Sequence, residues 1–159
     1  MRILVTFLLV FVSAMSFGQS FDWLNSIGDE GFENVTALGV GPDSTYVISG
    51  TIRSDELDFD PSNSSLIVEN EADIYFEMKT GYIAKYAADG SVIWAKKFPT
   101  GMSTESRGLN QIIIASDNSI IGVGWNQHGS TFSTSSSGCF AYGGLEGVAS
   151  IVRYDSNGN

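Results

Sequence analysis

Cysteine and histidine each occur once in this sequence of 159 residues, as Cys139 and His128. A lone cysteine excludes an internal disulfide, so the staples that hold many small exported domains together are not available. A thiol nucleophile needs a base beside it and a third group to orient that base. His128 and Cys139 share one Ser/Gly-rich stretch that offers no such third group, and catalysis is not assigned to them. Basic residues are scarce too: eight Lys and Arg stand against eighteen Asp and Glu, a net charge of −10. Nucleic acid is thereby excluded as a partner, because phosphate contacts need clustered Lys and Arg. Anionic membrane surfaces are disfavoured for the same reason, whereas self-repulsion favours solubility. No segment beyond the first eighteen residues shows helical amphipathic periodicity of useful length, and no phosphate-cradling glycine loop stands between a strand and a helix. The longest apolar run, Ile3 to Val12, falls well short of the roughly 18 to 20 residues that cross a bilayer.

That short run follows Arg2 and leads to small residues at Ser16 and Gly18. The order of charge, apolar stretch and small residues is that of a secretory signal peptide, residues 1–18, with cleavage expected before Gln19. The remaining residues, 19–159, carry seven basic and eighteen acidic side chains, a net charge of −11. No membrane insertion is expected once the signal is removed.

The rest of the chain consists of short runs of Val, Ile, Tyr, Phe and Trp punctuated by Gly, Asp, Asn and Ser, which is the pattern of an all-β protein. These runs repeat. "IAKYAADGS" (83–91) matches "IVRYDSNGN" (151–159) at a spacing of 68, and "DSTYVISG" (43–50) matches "DNSIIGVG" (117–124) at a spacing of 74. "FDWLNSIG" (21–28) resembles "VIWAKKFP" (92–99), with Trp23 over Trp94 at a spacing of 71. Three matches in one order at nearly one spacing define a unit with loops of variable length. In the first repeat, 34–98, strands are expected at 35–40, 46–52, 82–87 and 92–98. Turns form at Pro42-Asp43 and at Asp89-Gly90, a pair suited to the positive φ angles of a tight hairpin. A long acidic loop, 53–80, carries a short extra strand at 65–68. The second repeat, 109–159, has strands at 109–115, 119–125 and 150–154, and its fourth strand would begin where the sequence stops.

Four-stranded sheets repeated side by side are the blades of a β-propeller. The expected fold is therefore all-β, with propeller-like blades of four-stranded antiparallel sheets, about two of them present. Residues 21–27 are the expected closing strand. Because a propeller has about four to eight blades, the remaining blades of a longer chain are expected partners.

The strings "YVISGTI…LDFDP" and "GYIAKYAADGSVIWAKKF" resemble the bacterial SBBP-type β-propeller repeat. The resemblance covers most of residues 21–159 and is specific in Leu57-Asp58-Phe59-Asp60-Pro61 and in Lys85-Tyr86…Gly90…Trp94-Ala95-Lys96. It departs from the family pattern where "EMKTGY" precedes the Lys-Tyr string and where "GSTFSTSSSGCF" replaces the acidic motif in the second unit. The resemblance implies a secreted or cell-surface protein, usually long, in which blades accompany adhesion-like modules or a carboxyl-terminal sorting domain, often one read by type IX secretion. It implies no catalytic set.

Several residues invite a chemical reading. Asp58 and Asp60, two apart on a strand, point to one face and with Asp55 and Glu56 offer oxygen ligands to Ca²⁺, although six to eight oxygens are needed and one unit alone carries the motif. Without such a metal no cofactor is expected. Asp155, Asn157 and Asn159 match the start of a calcium loop, but the equivalent positions Ala87, Asp89 and Ser91 lack its first ligand, and a hairpin turn explains both copies. Trp23 and Trp94 recur at the repeat spacing, which favours packing between blades. Trp125, where the first unit has Thr51, is the better ligand-binding candidate. Asn34-Val35-Thr36 and Asn63-Ser64-Ser65 are formal glycosylation sequons, read as incidental. The function that follows is a non-enzymatic binding or adhesion scaffold for a protein or glycan ligand outside the cell. The alternative is the first part of a propeller enzyme, such as a quinoprotein-like dehydrogenase or a polysaccharide-active enzyme, which would need convergent polar groups from several blades.

Overall fold

The computed structural model describes residues 22–28, 31–60, 62, 65–69, 80–98, 108–126 and 148–159. Among them there is no helix, and nine strands form: β1 (Asn34–Val40), β2 (Tyr46–Ile52), β3 (Glu56–Asp58), β4 (Ile67–Glu69), β5 (Thr80–Tyr86), β6 (Val92–Lys97), β7 (Gly108–Ile114), β8 (Ile120–Asn126) and β9 (Val148–Tyr154). All pairing is antiparallel. One sheet has the order β1-β2-β5-β6, a second β7-β8-β9, and β3 and β4 form a small hairpin. The protein is thus all-β, in the manner of an incomplete set of propeller-like blades.

The strands expected in the two repeats are present within one or two residues of their bounds, whereas the closing strand expected at 21–27 is not formed, residues 22–28 being in no sheet among the described residues. A second difference is β3, inside the stretch read as a loop. Its signal is the alternation of Leu57 and Phe59, both buried, with exposed Asp58, a period of two that the acidic composition obscured.

Four hairpin turns share one geometry. In each, the first residue's N–H donates to the carbonyl of the fifth and the fourth residue's N–H donates back to the first: 41–45, 87–91, 115–119 and 155–159. The fourth residue alone is left-handed, namely Ser44 (φ 62°), Gly90 (85°), Asn118 (61°) and Gly158 (77°). These are three-residue hairpin loops, a turn followed by a left-handed residue. Asp89-Gly90 therefore supplies one positive φ, at Gly90, rather than two. The third residue secures the loop. Asp43, Asp89 and Asp117 each accept a backbone N–H and a hydroxyl from the residue two further on, with hydroxyl distances of 2.6, 2.7 and 2.6 Å.

Ser44 and Asn118 both take the left-handed conformation without being glycine, and Asn118 bears a second cost. A left-handed non-glycine residue is disfavoured, and the Asn118 Oδ1 is buried with no hydrogen-bond partner. Asn118→Gly is expected to stabilise the fold by about 0.5–1 kcal/mol in urea titration, since it removes both the strain and the orphaned acceptor. A loss of stability would refute this reading of the turn.

The two larger sheets pack face to face, and the contact has a direction. Ala37, Val47 and Ile83 on one face of the first sheet, with Phe98, meet Leu109, Ile112, Ile120 and Tyr154 of the second. Gly39 permits the close approach, because a Cβ there would lie 2.6 Å from Ile112 Cγ2. A β-bulge at Val35/Ala37 recurs 74 residues on at Leu109/Gln111, and it turns backbone groups of Leu109 toward the first sheet. The Leu109 N–H donates to Ser49 Oγ (3.1 Å), whose hydroxyl donates to the Tyr82 carbonyl (2.7 Å), and the Thr36 hydroxyl donates to the Leu109 carbonyl (2.7 Å). The opposite face of the first sheet, with Ile52, Tyr82, Ala84 and Tyr86, is roofed by Leu57, Phe59 and Val68 of the β3–β4 hairpin.

Trp23 and Trp94 occupy matching places. The Trp23 indole donates to the Ala88 carbonyl (3.0 Å) and lies against Gly90, where a Cβ would come within 2.8 Å of the ring. The Trp94 indole donates to the Ser156 carbonyl (3.3 Å) and lies against Gly158, where a Cβ would come within 3.1 Å. Asn25 then donates to the Gly90 carbonyl (2.6 Å), as the Lys96 ammonium does to that of Gly158 (2.7 Å). Each tryptophan clasps the turn of the following unit at its rim, and Trp94 also packs against the core between the two larger sheets. Residues 22–28 form no strand among the described residues, yet they stand to the first turn as β6 stands to the second.

Candidate functional site

The β3–β4 hairpin leans its apolar side on the first sheet and leaves its acidic side outward. Glu56 and Glu69 face each other across the hairpin in register, and both are exposed. Beyond them the hairpin and the last strand of the sheet, β6, enclose an open groove of about 430 Å³. Its walls carry unlike charge: Glu56 and Glu69 on one side and Lys97 on the other, with Ile67 and Ala95 between, whereas Lys96 lends the groove its backbone and turns its side chain to the face of Ile83 and Trp94. Lys96 is held in place. Besides Gly158 its ammonium donates to Asn159 Oδ1 (3.2 Å), and it lies 5.7 Å from the Trp94 ring centroid, within cation–π range. Carboxylates, the Lys97 side chain and an apolar strip make a surface that suits polar ligands with an apolar face.

Asp58 and Asp60 lie at the tip of this hairpin. Asp58 Oδ1 accepts the backbone N–H groups of Asp60 (2.9 Å) and Leu66 (2.8 Å), and Asp60 Oδ1 accepts that of Ser62 (2.9 Å). Asp58 ends β3 while Asp60 has passed into the turn, so the two carboxylates serve the turn they sit in. Among the described residues, no group of three or more His, Cys, Asp or Glu side chains is arranged to hold a metal ion. Asp155 behaves likewise, with Oδ1 accepting from Asn157 N (2.8 Å) and Asn159 N (2.9 Å). Asn34 uses its side-chain oxygen to bind Thr51, at 3.0 Å from the amide and 2.8 Å from the hydroxyl. Trp125 has its backbone between Gly108 and Ala149 in β8; its side chain, His128, Cys139 and Asn63 lie outside the described residues. The groove itself escaped sequence reading, because β3 and its register against β4 were not expected.

Carboxyl groups in the turns are tuned by hydrogen bonds. Asp43, Asp89 and Asp117 lie below the ordinary value of 3.8, chiefly through the hydroxyls of Thr45, Ser91 and Ser119, and Asp155 chiefly through the Asn159 N–H. Lys85 adds an attraction at Asp43 and Arg153 at Asp117, the latter through a 3.0 Å ion pair. Burial pushes Tyr82 up to about 12, and Tyr86 and Tyr154 upward as well.

The signs follow from linkage. A carboxyl lowered in the folded state stabilises fully above its unfolded value, and that contribution is lost as pH falls through the folded value. A phenol raised in the folded state stabilises fully below its unfolded value of about 10, and that is lost as pH rises through the folded value. Stability is therefore expected to be level near neutrality, to fall below about pH 4 and to fall again above about pH 10. Urea midpoints across pH check this, and Asp→Asn at 43, 89 and 117 together should flatten the acid limb.

Compared with protein-family models, with curated proteins and with solved structures, the chain matches none.

Proposed function

We propose that this chain is a segment of an extracellular bacterial repeat protein of the SBBP type, exported by residues 1–18, that acts as a non-enzymatic scaffold for binding a protein or glycan. The observation that carries the reading is the groove between β6 and the β3–β4 hairpin. The first sheet positions the β3–β4 insert on its face, an arrangement in which recognition surfaces are commonly built. The mixed charge and apolar strip suit a polar ligand with an apolar face. Trp125, at the head of the stretch 127–147, is the proposed contributor from the second unit.

Export is tested by expressing the chain in a bacterium and weighing the product, which is expected to begin at Gln19. Binding is tested by presenting the purified protein to glycan and extracellular-protein arrays. The paired change Glu56→Gln and Glu69→Gln, or Trp125→Ala, is then expected to reduce the captured signal at least about tenfold, the effect of losing one or two good polar or aromatic contacts. A ligand held equally well by both variants would refute the assignment of the site, and retention of residues 1–18 would refute export.

A further inference from the structure

We propose that the groove takes an extended peptide, which adds antiparallel to β4 as a third strand of the hairpin and sets a basic residue opposite Glu69 and a β-branched residue opposite Ile67. The inference rests on the binding role proposed for the groove and narrows it to one class of ligand.

The backbone of the groove carries the argument. Residues of an antiparallel pair alternate between those that exchange both main-chain hydrogen bonds and those that exchange none. The Phe59 N–H donates to the Leu66 carbonyl (3.0 Å), which marks Phe59/Leu66 and, two steps on, Leu57/Val68 as bonded pairs. Ile67 and Glu69 therefore turn their N–H and C=O groups away from β3, and β4 is the hairpin strand that lies beside β6. On the facing wall the Phe98 N–H donates to the Gly81 carbonyl (2.8 Å), so by the same alternation Ala95 and Lys97 turn their main-chain groups away from β5. Among the described residues the outward groups of Ile67, Glu69 and Ala95 have no main-chain partner. Two strand edges thus line one groove. Such edges capture extended peptides, main-chain bonds giving affinity and alternate side chains specificity.

Side chains define the peptide. Val68 is buried against the first sheet, so its neighbours Ile67 and Glu69 face outward, and in register across β3 they meet Asp58 and Glu56. A peptide residue opposite Glu69 stands in one row with two carboxylates. Like charges directly opposite each other destabilise a sheet, and among the described residues neither Glu56 nor Glu69 has an ion-pair partner. A lysine or arginine in that row relieves the repulsion. Lys97 is the one ammonium against these two carboxylates in the groove, so the site is negative on balance. The residue opposite Ile67, itself 48% exposed, is β-branched, because such pairs pack well across strands. The residue between them points inward like Val68, toward Ala95, and is small. Read from its amino end, the peptide is therefore basic, small, β-branched. A second copy of this chain, pairing through the same edge, would bring Glu56 and Glu69 against their own kind, which leaves a basic peptide as the occupant.

The test uses the full chain, fluorescence anisotropy of the labelled peptide Thr-Thr-Lys-Ala-Val-Thr-Thr, and circular dichroism for intact sheets. Saturable binding that weakens with added salt is expected. Methylating the lysine and valine amides of the peptide, which face β4, is expected to weaken it at least about tenfold, whereas methylating the alanine amide, which faces away from β4, costs less. Glu56→Lys with Glu69→Lys, at two exposed positions, is expected to weaken the lysine peptide at least about tenfold and to favour the same peptide with glutamate in place of lysine. Absence of peptide binding, equal binding of the peptide methylated at lysine and valine, or a charge preference that does not reverse would overturn the proposal. Chitohexaose serves as the glycan probe. If it binds, and loses its hold in the Glu56→Gln, Glu69→Gln protein while the peptide binds nowhere, this inference is overturned and the proposed function stands; if neither probe nor any array member binds at the groove, both fall.

Discussion

Phe59→Ala is expected to lower the unfolding free energy by about 3–5 kcal/mol, the cost of removing a buried phenyl ring and leaving its cavity. The ring is fully buried at the centre of the roof that β3–β4 places on the first sheet. It meets Tyr82 edge to face, with centroids 4.9 Å apart, and the strand around it is pinned by two hydrogen bonds: Phe59 N–H to the Leu66 carbonyl (3.0 Å) and the Tyr86 hydroxyl to the Phe59 carbonyl (3.3 Å). Domains are commonly stable by only about 5–15 kcal/mol, so the change removes a large part of the margin. Urea unfolding of the variant should shift the midpoint with little change in slope, and a loss under about 1 kcal/mol would mean that the hairpin does not belong to the cooperative core. Because the same hairpin forms one wall of the groove, the variant is also expected to lose the ligand-binding signal at the same lowered urea midpoint.

Gly50→Ala is the second large effect, expected at about 3 kcal/mol from overpacking that cannot relax. The β-bulge in β1 drives the Asn34 carbonyl over the Gly50 Cα, so that an added Cβ would lie 1.8 Å from that oxygen and 2.9 Å from the Tyr82 hydroxyl. The obstacle is backbone, and β1 itself would have to move. That movement would carry Thr36 away from the Leu109 carbonyl and the Asn34 side chain away from Thr51, loosening the contact between units as well as the sheet. Gly124 repeats the arrangement against the Gly108 carbonyl at 2.5 Å, so Gly124→Ala should behave similarly. If either substitution changes the urea midpoint by less than the scatter of the measurement, the bulge is not the fixed feature described.

Strands and turns were legible in the sequence because each rests on local chemistry: alternating apolar residues for β2 and β5, and Asp followed by a residue tolerant of positive φ for the turns. The pairing of Trp23 with Trp94 was legible as repetition and, for Trp94, as packing between units, but the clasp was not, since it depends on where the neighbouring turn lies in space. At Asp58 and Asp60 the spacing placed two carboxylates near each other, while the amides that each accepts could be told only from the turn that follows β3. The groove was the least legible feature, because Glu69 and Lys97 become neighbours only after β4 and β6 are placed side by side.

The clasps also impose an order in time. A chain leaves the ribosome amino end first, and its early segments are free to fold before later ones exist. Trp23 is made well before the turn at 87–91, and Trp94 before the turn at 155–159, so each hairpin is born facing a latch that is already waiting. The two clasps join residues 65 and 62 positions apart, so neither turn is secured until both ends of its clasp are present.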